Sequence, residues 1–176
     1  MRRCDRHATN VSKSDAARAK GRVMTPAPPS GLFDGGVHRF PVRIYFDDTD
    51  LSGIVYHANY LRFMERARSD MLRVAGIDQR ATMEAGEGVY AVASLEIAYK
   101  RPAKLDDVLI VESVVSRVRA AATEIRQSIL REGELITQAV VTAALVAPDG
   151  RPIRQPAAWR NLFEKLMTQV KGDHAG

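Results

Sequence analysis

At 176 residues the chain is sized for one domain, and a hydrophobic content of 45% is enough to build a core. The formal charge of +5 is unevenly spread: residues 1–36 hold seven Lys/Arg and three Asp, and the remainder holds 19 Lys/Arg against 18 Asp/Glu. A body so near neutrality argues against a basic nucleic-acid surface, and a single cysteine, Cys4, argues against zinc-ligand sets and disulfide frameworks.

Residues 1–36 are poor in large apolar side chains, with Pro and Gly punctuating the second half, so they are expected to be a disordered basic tail. They contain no apolar core of a secretory signal, and no run in the chain is long enough to span a bilayer. The expected location is the cytoplasm. Met24 offers an alternative start; otherwise the first 23 residues form a basic extension suited to anionic lipid or nucleic acid.

The folded domain is expected over residues 37–171, with 172–176 as a C-terminal tail. In HRFPVRIYF, Val42, Ile44 and Phe46 alternate with Arg43 and Tyr45, which predicts a strand. From Tyr60 onward the period changes. Tyr60, Phe63, Met64, Ala67, Met71, Val74 and Ala75 fall on one helical stripe, with Arg62, Glu65, Arg66, Arg68, Ser69, Asp70 and Arg73 over the remaining surface. Gly76 stands where a left-handed terminator is expected.

Between strand and helix lies DDTDLSGIVYHA, the most chemically loaded stretch of the chain. Gly53 permits a sharp turn. Amides at the helix start, near His57, lack intrahelical partners and carry positive partial charge, so they suit a developing oxyanion. A carboxylate in the same loop could act as base or nucleophile. Structural duties compete with these roles. Asp50 could hold loop amides, Asp47 and Asp48 could be solvated or capping, and Thr49 could serve only the turn. His57 could bond the backbone, and Glu65 could pair with Arg68 or Arg66.

Four further segments rich in Val, Ile and Leu follow: VYAVASLEIAYK, DDVLIVESVVSRVR, ATEIRQSILRE and LITQAVVTAALVAP. Glu132-Gly133-Glu134 reads as a tight hairpin turn. Trp159, Leu162, Phe163, Leu166 and Val170 mark a short C-terminal helix, with Trp159 a packing residue. The whole is α+β: a five-stranded antiparallel sheet, one long helix, and a short terminal one.

The run VRIYFDDTDLSGIVYHANYLRFMERAR resembles the hotdog-fold acyl-CoA thioesterases, in particular the branch associated with the Tol-Pal cell-envelope system, and more loosely the 4-hydroxybenzoyl-CoA thioesterases. YKRPAKLDDVLIVES extends the likeness, which covers roughly residues 40–163. It implies a hotdog fold, with the sheet wrapped around the central helix, and hydrolysis of an acyl-CoA or acyl carrier protein thioester without cofactor or metal. By position, the catalytic carboxylate falls on Asp50 and the motif histidine on His57, whose amide would polarise the carbonyl. Gly53 and Tyr56 support the turn, and Thr49 and Glu65 stand behind it. Phe46 replaces the tyrosine common in this branch, and Asp47 a common glutamate.

The resemblance also implies a homo-dimer or homo-tetramer with active sites at subunit interfaces, the strand Val89–Tyr99 forming an acyl wall. Lys100, Arg101 and Lys104 are the densest basic cluster outside the tail and are candidates for coenzyme A phosphates. Cell-envelope or phospholipid-synthesis partners, and a peripheral place at the inner membrane, follow from the same branch. Two other functions share the fold: hydration or dehydration of acyl thioesters, and a non-catalytic envelope scaffold.

Overall fold

The computed structural model describes residues 27–172. The expectations for Cys4, for Met24 and for the chain ends fall on residues outside that range, apart from residues 27–36. The strand β1 (Leu32–Asp34) lies in the stretch expected to be tail, and it pairs antiparallel with β2 (Val37–Arg43). Ordered pairing therefore begins before residue 37. The short strand was hidden because three residues carry no readable alternation.

After β2 come a 3-10 turn (Phe46–Asp48) and the long helix α1 (His57–Val74). A six-residue helix α2 (Gln79–Glu84) follows, capped by the Asp78 carboxylate accepting from Ala81 N at 3.0 Å. The remaining elements are β3 (Val89–Tyr99), β4 (Val108–Val118), β5 (Ala122–Arg131), β6 (Glu134–Val146) and α3 (Ala157–Gly172). Among the described residues the sheet thus has six strands rather than five, all antiparallel, in the order β1-β2-β4-β5-β6-β3.

Alternation places the core. Leu109, Val111 and Val115 of β4, and Ile125 and Ile129 of β5, face inward, where α1 buries Tyr60, Phe63, Met64, Ala67 and Met71 against the sheet. Phe163 and Leu166 of α3 extend this core beyond the end of α1. Trp159 stacks on Tyr90 with centroids 5.8 Å apart, a packing role. The β5–β6 hairpin turns through Glu132 (φ 51°) and Gly133 (φ 84°), the paired positive angles of a two-residue hairpin.

The helix departs from its sequence reading at three positions. Val74 is exposed, whereas Arg68 and Asp70 are buried. Arg68 donates to the buried Gln127 Oε1 at 2.6 Å and pairs with the exposed Glu65, so its guanidinium is bonded on the core side and its charge is matched at the surface. Asp70 accepts from Gly31 N at 2.7 Å, meets His38 Nε2 at 3.0 Å, and pairs with Arg73. It ties β1's approach, β2 and α1 together.

Candidate active site

The loop between β2 and α1 is braced by its own backbone. Gly53 N donates to Asp50 O at 3.0 Å and Asp50 N to Ile54 O at 3.1 Å, closing a tight turn in which Gly53 takes φ 74°. A Cβ at Gly53 would meet nothing within 4 Å, so backbone angle rather than space calls for glycine there. Thr49 Oγ1 donates to Phe46 O at 2.8 Å and serves the turn. Phe46 itself is exposed. Val55 N donates to Ala103 O at 2.9 Å, stapling the loop to the segment after β3.

The start of α1 is held as firmly. Tyr56 N and Asn59 Nδ2 both donate to Asp48 O, at 2.9 and 3.0 Å, and Asn59 N donates to Tyr56 O at 2.9 Å. Among the described residues, the N–H groups of His57 and Ala58 have no acceptor. The helix therefore presents two adjacent donors at its positive end.

Asp50 is exposed at the rim of this loop. Ser52 Oγ and Ser52 N, the latter at 2.8 Å, both donate to Asp50 Oδ1. These bonds from the Ser52 hydroxyl, then from its amide, with nearby His57 adding a smaller electrostatic share, hold the Asp50 carboxyl below its ordinary range. Asp50 is consequently an anion at neutral pH, and Oδ2 accepts no hydrogen bond among the described residues.

The His57 ring lies 4.5 Å from that of Tyr56 and 6.3 Å from that of Tyr99, measured between centroids. Tyr99 Oη donates to His57 O at 3.2 Å, fixing the end of β3 beside the start of α1. A cleft of about 300 Å³ opens there, lined mainly by apolar surface of Ile54, Val55, Tyr60, Tyr99 and Pro102. Lys100 and Arg101 stand at its edge. Arg101 pairs with Glu134 at 2.7 Å, and Lys104 lies outside the cleft, its amide donating to Asp107 Oδ2 at 2.9 Å. Glu65 is two turns down α1, engaged with Arg68 and, at 3.3 Å, with Ser69. Among the described residues no group of His, Cys, Asp and Glu is arranged to hold a metal ion.

Asp50, Gly53, Tyr56 and His57 are thus brought together, while Glu65 and Lys104 are set apart. Sequence reading missed Ser52, whose hydroxyl lies two residues from the carboxylate it holds, and Tyr99, whose partner is 42 residues away.

This arrangement of sheet, central helix and loop is that of the hotdog thioesterases, and comparison with known proteins agrees. The model of the thioesterase-like superfamily matches residues 44–165. An acyl-CoA thioesterase YbgC of Haemophilus influenzae is 43% identical over 136 residues, covering 77% of this chain and 99% of the relative. A probable thioesterase from Bartonella henselae superposes with a TM-score of 0.66 at 38% identity, over 68% of this chain and 99% of that one. A 4-hydroxybenzoyl CoA thioesterase complexed with 4-hydroxybenzoyl CoA gives 0.66 at 26% identity, over 72% and 97%. The chain belongs to the thioesterase-like superfamily and is a thioester hydrolase of the hotdog fold.

Proposed function

We propose that the protein hydrolyses acyl-CoA thioesters, with Asp50 as the reacting carboxylate and the amides of His57 and Ala58 as the oxyanion site. The observation that carries this reading is the pair of unbonded amides at the start of α1, beside an ionised Asp50. The thioester carbonyl sits against the two donors. Charge develops on its oxygen as the tetrahedral centre forms, so the donors favour that state over the ground state. Asp50 Oδ2 either adds to the carbonyl carbon, giving an anhydride that water opens, or takes a proton from the attacking water. Both routes expel the thiolate of coenzyme A and leave a free acid. His57 orients the water or meets the departing sulfur.

A single protomer leaves this site open to solvent, and we read it as completed by a second copy. The edge strand β3 supports that reading: among the described residues it pairs only with β6, and Val92, Leu95 and Tyr99 are 49%, 37% and 45% exposed. An eleven-residue apolar edge is a ready template for pairing. Lys100 is the basic side chain best placed for coenzyme A phosphates, at the cleft's edge and without an ion pair among the described residues. The relative's name also favours the envelope-associated branch, and no described helix is long and apolar enough to cross a membrane.

Thiol release from butyryl-, dodecanoyl- and benzoyl-CoA tests the activity. Turnover of one or more supports the reading, and inertness toward all, with acyl carrier protein thioesters equally inert, overturns it.

A further inference from the structure

The two free amides at the start of α1 belong to two peptide groups, and each group has a carbonyl at its other end. The His57 N–H shares a peptide with Tyr56 O, and the Ala58 N–H shares one with His57 O. Tyr56 O accepts from Asn59 N at 2.9 Å, a bond made within the helix start itself. His57 O accepts from Tyr99 Oη at 3.2 Å, a bond brought by a side chain 42 residues away. The helical ladder also reaches a carbonyl at this position from four residues on, and the oxygen keeps a second lone pair for the phenol.

Tyr99 is aimed by its surroundings. Lys100 N and Arg101 N both donate to Ile136 O, at 2.9 and 3.1 Å, which clamps the end of β3 to β6. The Tyr99 ring packs on that of buried Tyr60, with centroids 5.7 Å apart, and stands perpendicular to that of His57 at 6.3 Å. These contacts use the ring. The hydroxyl has one bond among the described residues, to His57 O.

A hydrogen bond to a peptide carbonyl draws electron density toward the oxygen. The N–H of the same peptide becomes a stronger donor, which is the cooperativity of hydrogen-bonded chains. We infer that Tyr99 is a positioning residue for the proposed reaction: its hydroxyl polarises and orients the His57–Ala58 peptide, so that Ala58 N meets the oxyanion as a strengthened donor. This rests on the oxyanion reading above and adds a residue to it, one that acts through the peptide and not on the reacting atoms. Losing an oxyanion donor outright costs about 10²–10³-fold in kcat. A cooperative share of about 10–30% of that loss, on a logarithmic scale, is about 2- to 8-fold.

Tyr99→Phe keeps the ring and deletes the bond. In the folded variant, with the assembly size of wild type, kcat should fall about 2- to 8-fold on the acyl-CoA that wild type turns over fastest, with KM unchanged. Replacing Tyr99 by 3-fluorotyrosine and then 3,5-difluorotyrosine gives progressively more acidic phenols, which are stronger donors. Assayed where the phenol stays protonated, kcat should rise along that series, a response that packing alone does not produce. The Ala58 amide nitrogen resonance reads the same contact without turnover, and Tyr99→Phe should move it upfield. A kcat that does not follow phenol acidity overturns the inference. If the resonance moves all the same, the peptide is polarised and the oxyanion reading is what falls; an unmoved resonance places the failure at the Tyr99 contact. Should no acyl-CoA be turned over, the proposed reaction falls and the resonance alone decides whether Tyr99 polarises the peptide.

Discussion

The hydroxyl of Tyr60 on α1 accepts a hydrogen bond from the Ala103 amide at 2.9 Å, and both residues are buried. Ala103 in turn accepts from Val55 N, so one tyrosine oxygen links the central helix to the loop between β2 and α1 through a single residue.

Tyr60→Phe leaves the Ala103 N–H buried without an acceptor. Such a group costs about 1–3 kcal/mol. Urea unfolding should show a loss of that size, and kcat should fall with it because the loop loses its anchor. An unchanged midpoint would mean that the amide finds another partner.

Ser52 holds Asp50 through hydroxyl and amide together, the hydroxyl being the larger influence. Ser52→Ala removes it, so the Asp50 pKa rises toward the ordinary carboxylate value. The acid limb of the kcat/KM profile should move to higher pH, with the plateau at neutral pH retained. An unmoved limb would show that the hydroxyl does not reach the carboxylate in solution.

His38 is fully buried against Asp70, and its Nδ1 has no partner among the described residues. Burial lowers its pKa below 6.5, outweighing the pull of Asp70, and Arg73 adds to the lowering. Phe33 and Ser113 face it from β1 and β4 without charge. A lowered pKa means that the unfolded chain binds the proton more readily. The contribution of His38 is therefore complete above about pH 6.5 and declines as pH falls below it. Unfolding free energies at pH 7.5 and 5.5 should differ less in His38→Gln than in wild type.

Much of this was legible in the sequence, and the reasons are local. Helix α1 announced itself by its stripe and by Gly76, which takes φ 85°. The hairpin at Gly133 and four of the long strands were equally plain, and Asp50, Gly53 and His57 were singled out by the loop's chemistry and its family resemblance. What escaped depends on distant partners. Asp70 looks like a surface acid until Gly31 and His38 arrive from elsewhere in the chain. Arg68 is buried only because Gln127, on β5, receives it. The free amides at the start of α1 were legible in the sequence, but the bracing of that start by Asp48 O, which accepts from Tyr56 N and from the side chain of Asn59 eleven residues on, was not.

The central claim is that Asp50 performs the chemistry, and the most direct test is kcat for Asp50→Asn on the acyl-CoA that wild type turns over fastest. Asp50 is exposed, and asparagine can still accept from Ser52, so the variant should fold as wild type by circular dichroism. Loss of a positioned base or nucleophile typically lowers the rate about 10²–10⁴-fold, and a fall of that order with little change in KM is the predicted result. A folded variant retaining wild-type kcat would contradict the account and move the reacting group elsewhere in the cleft.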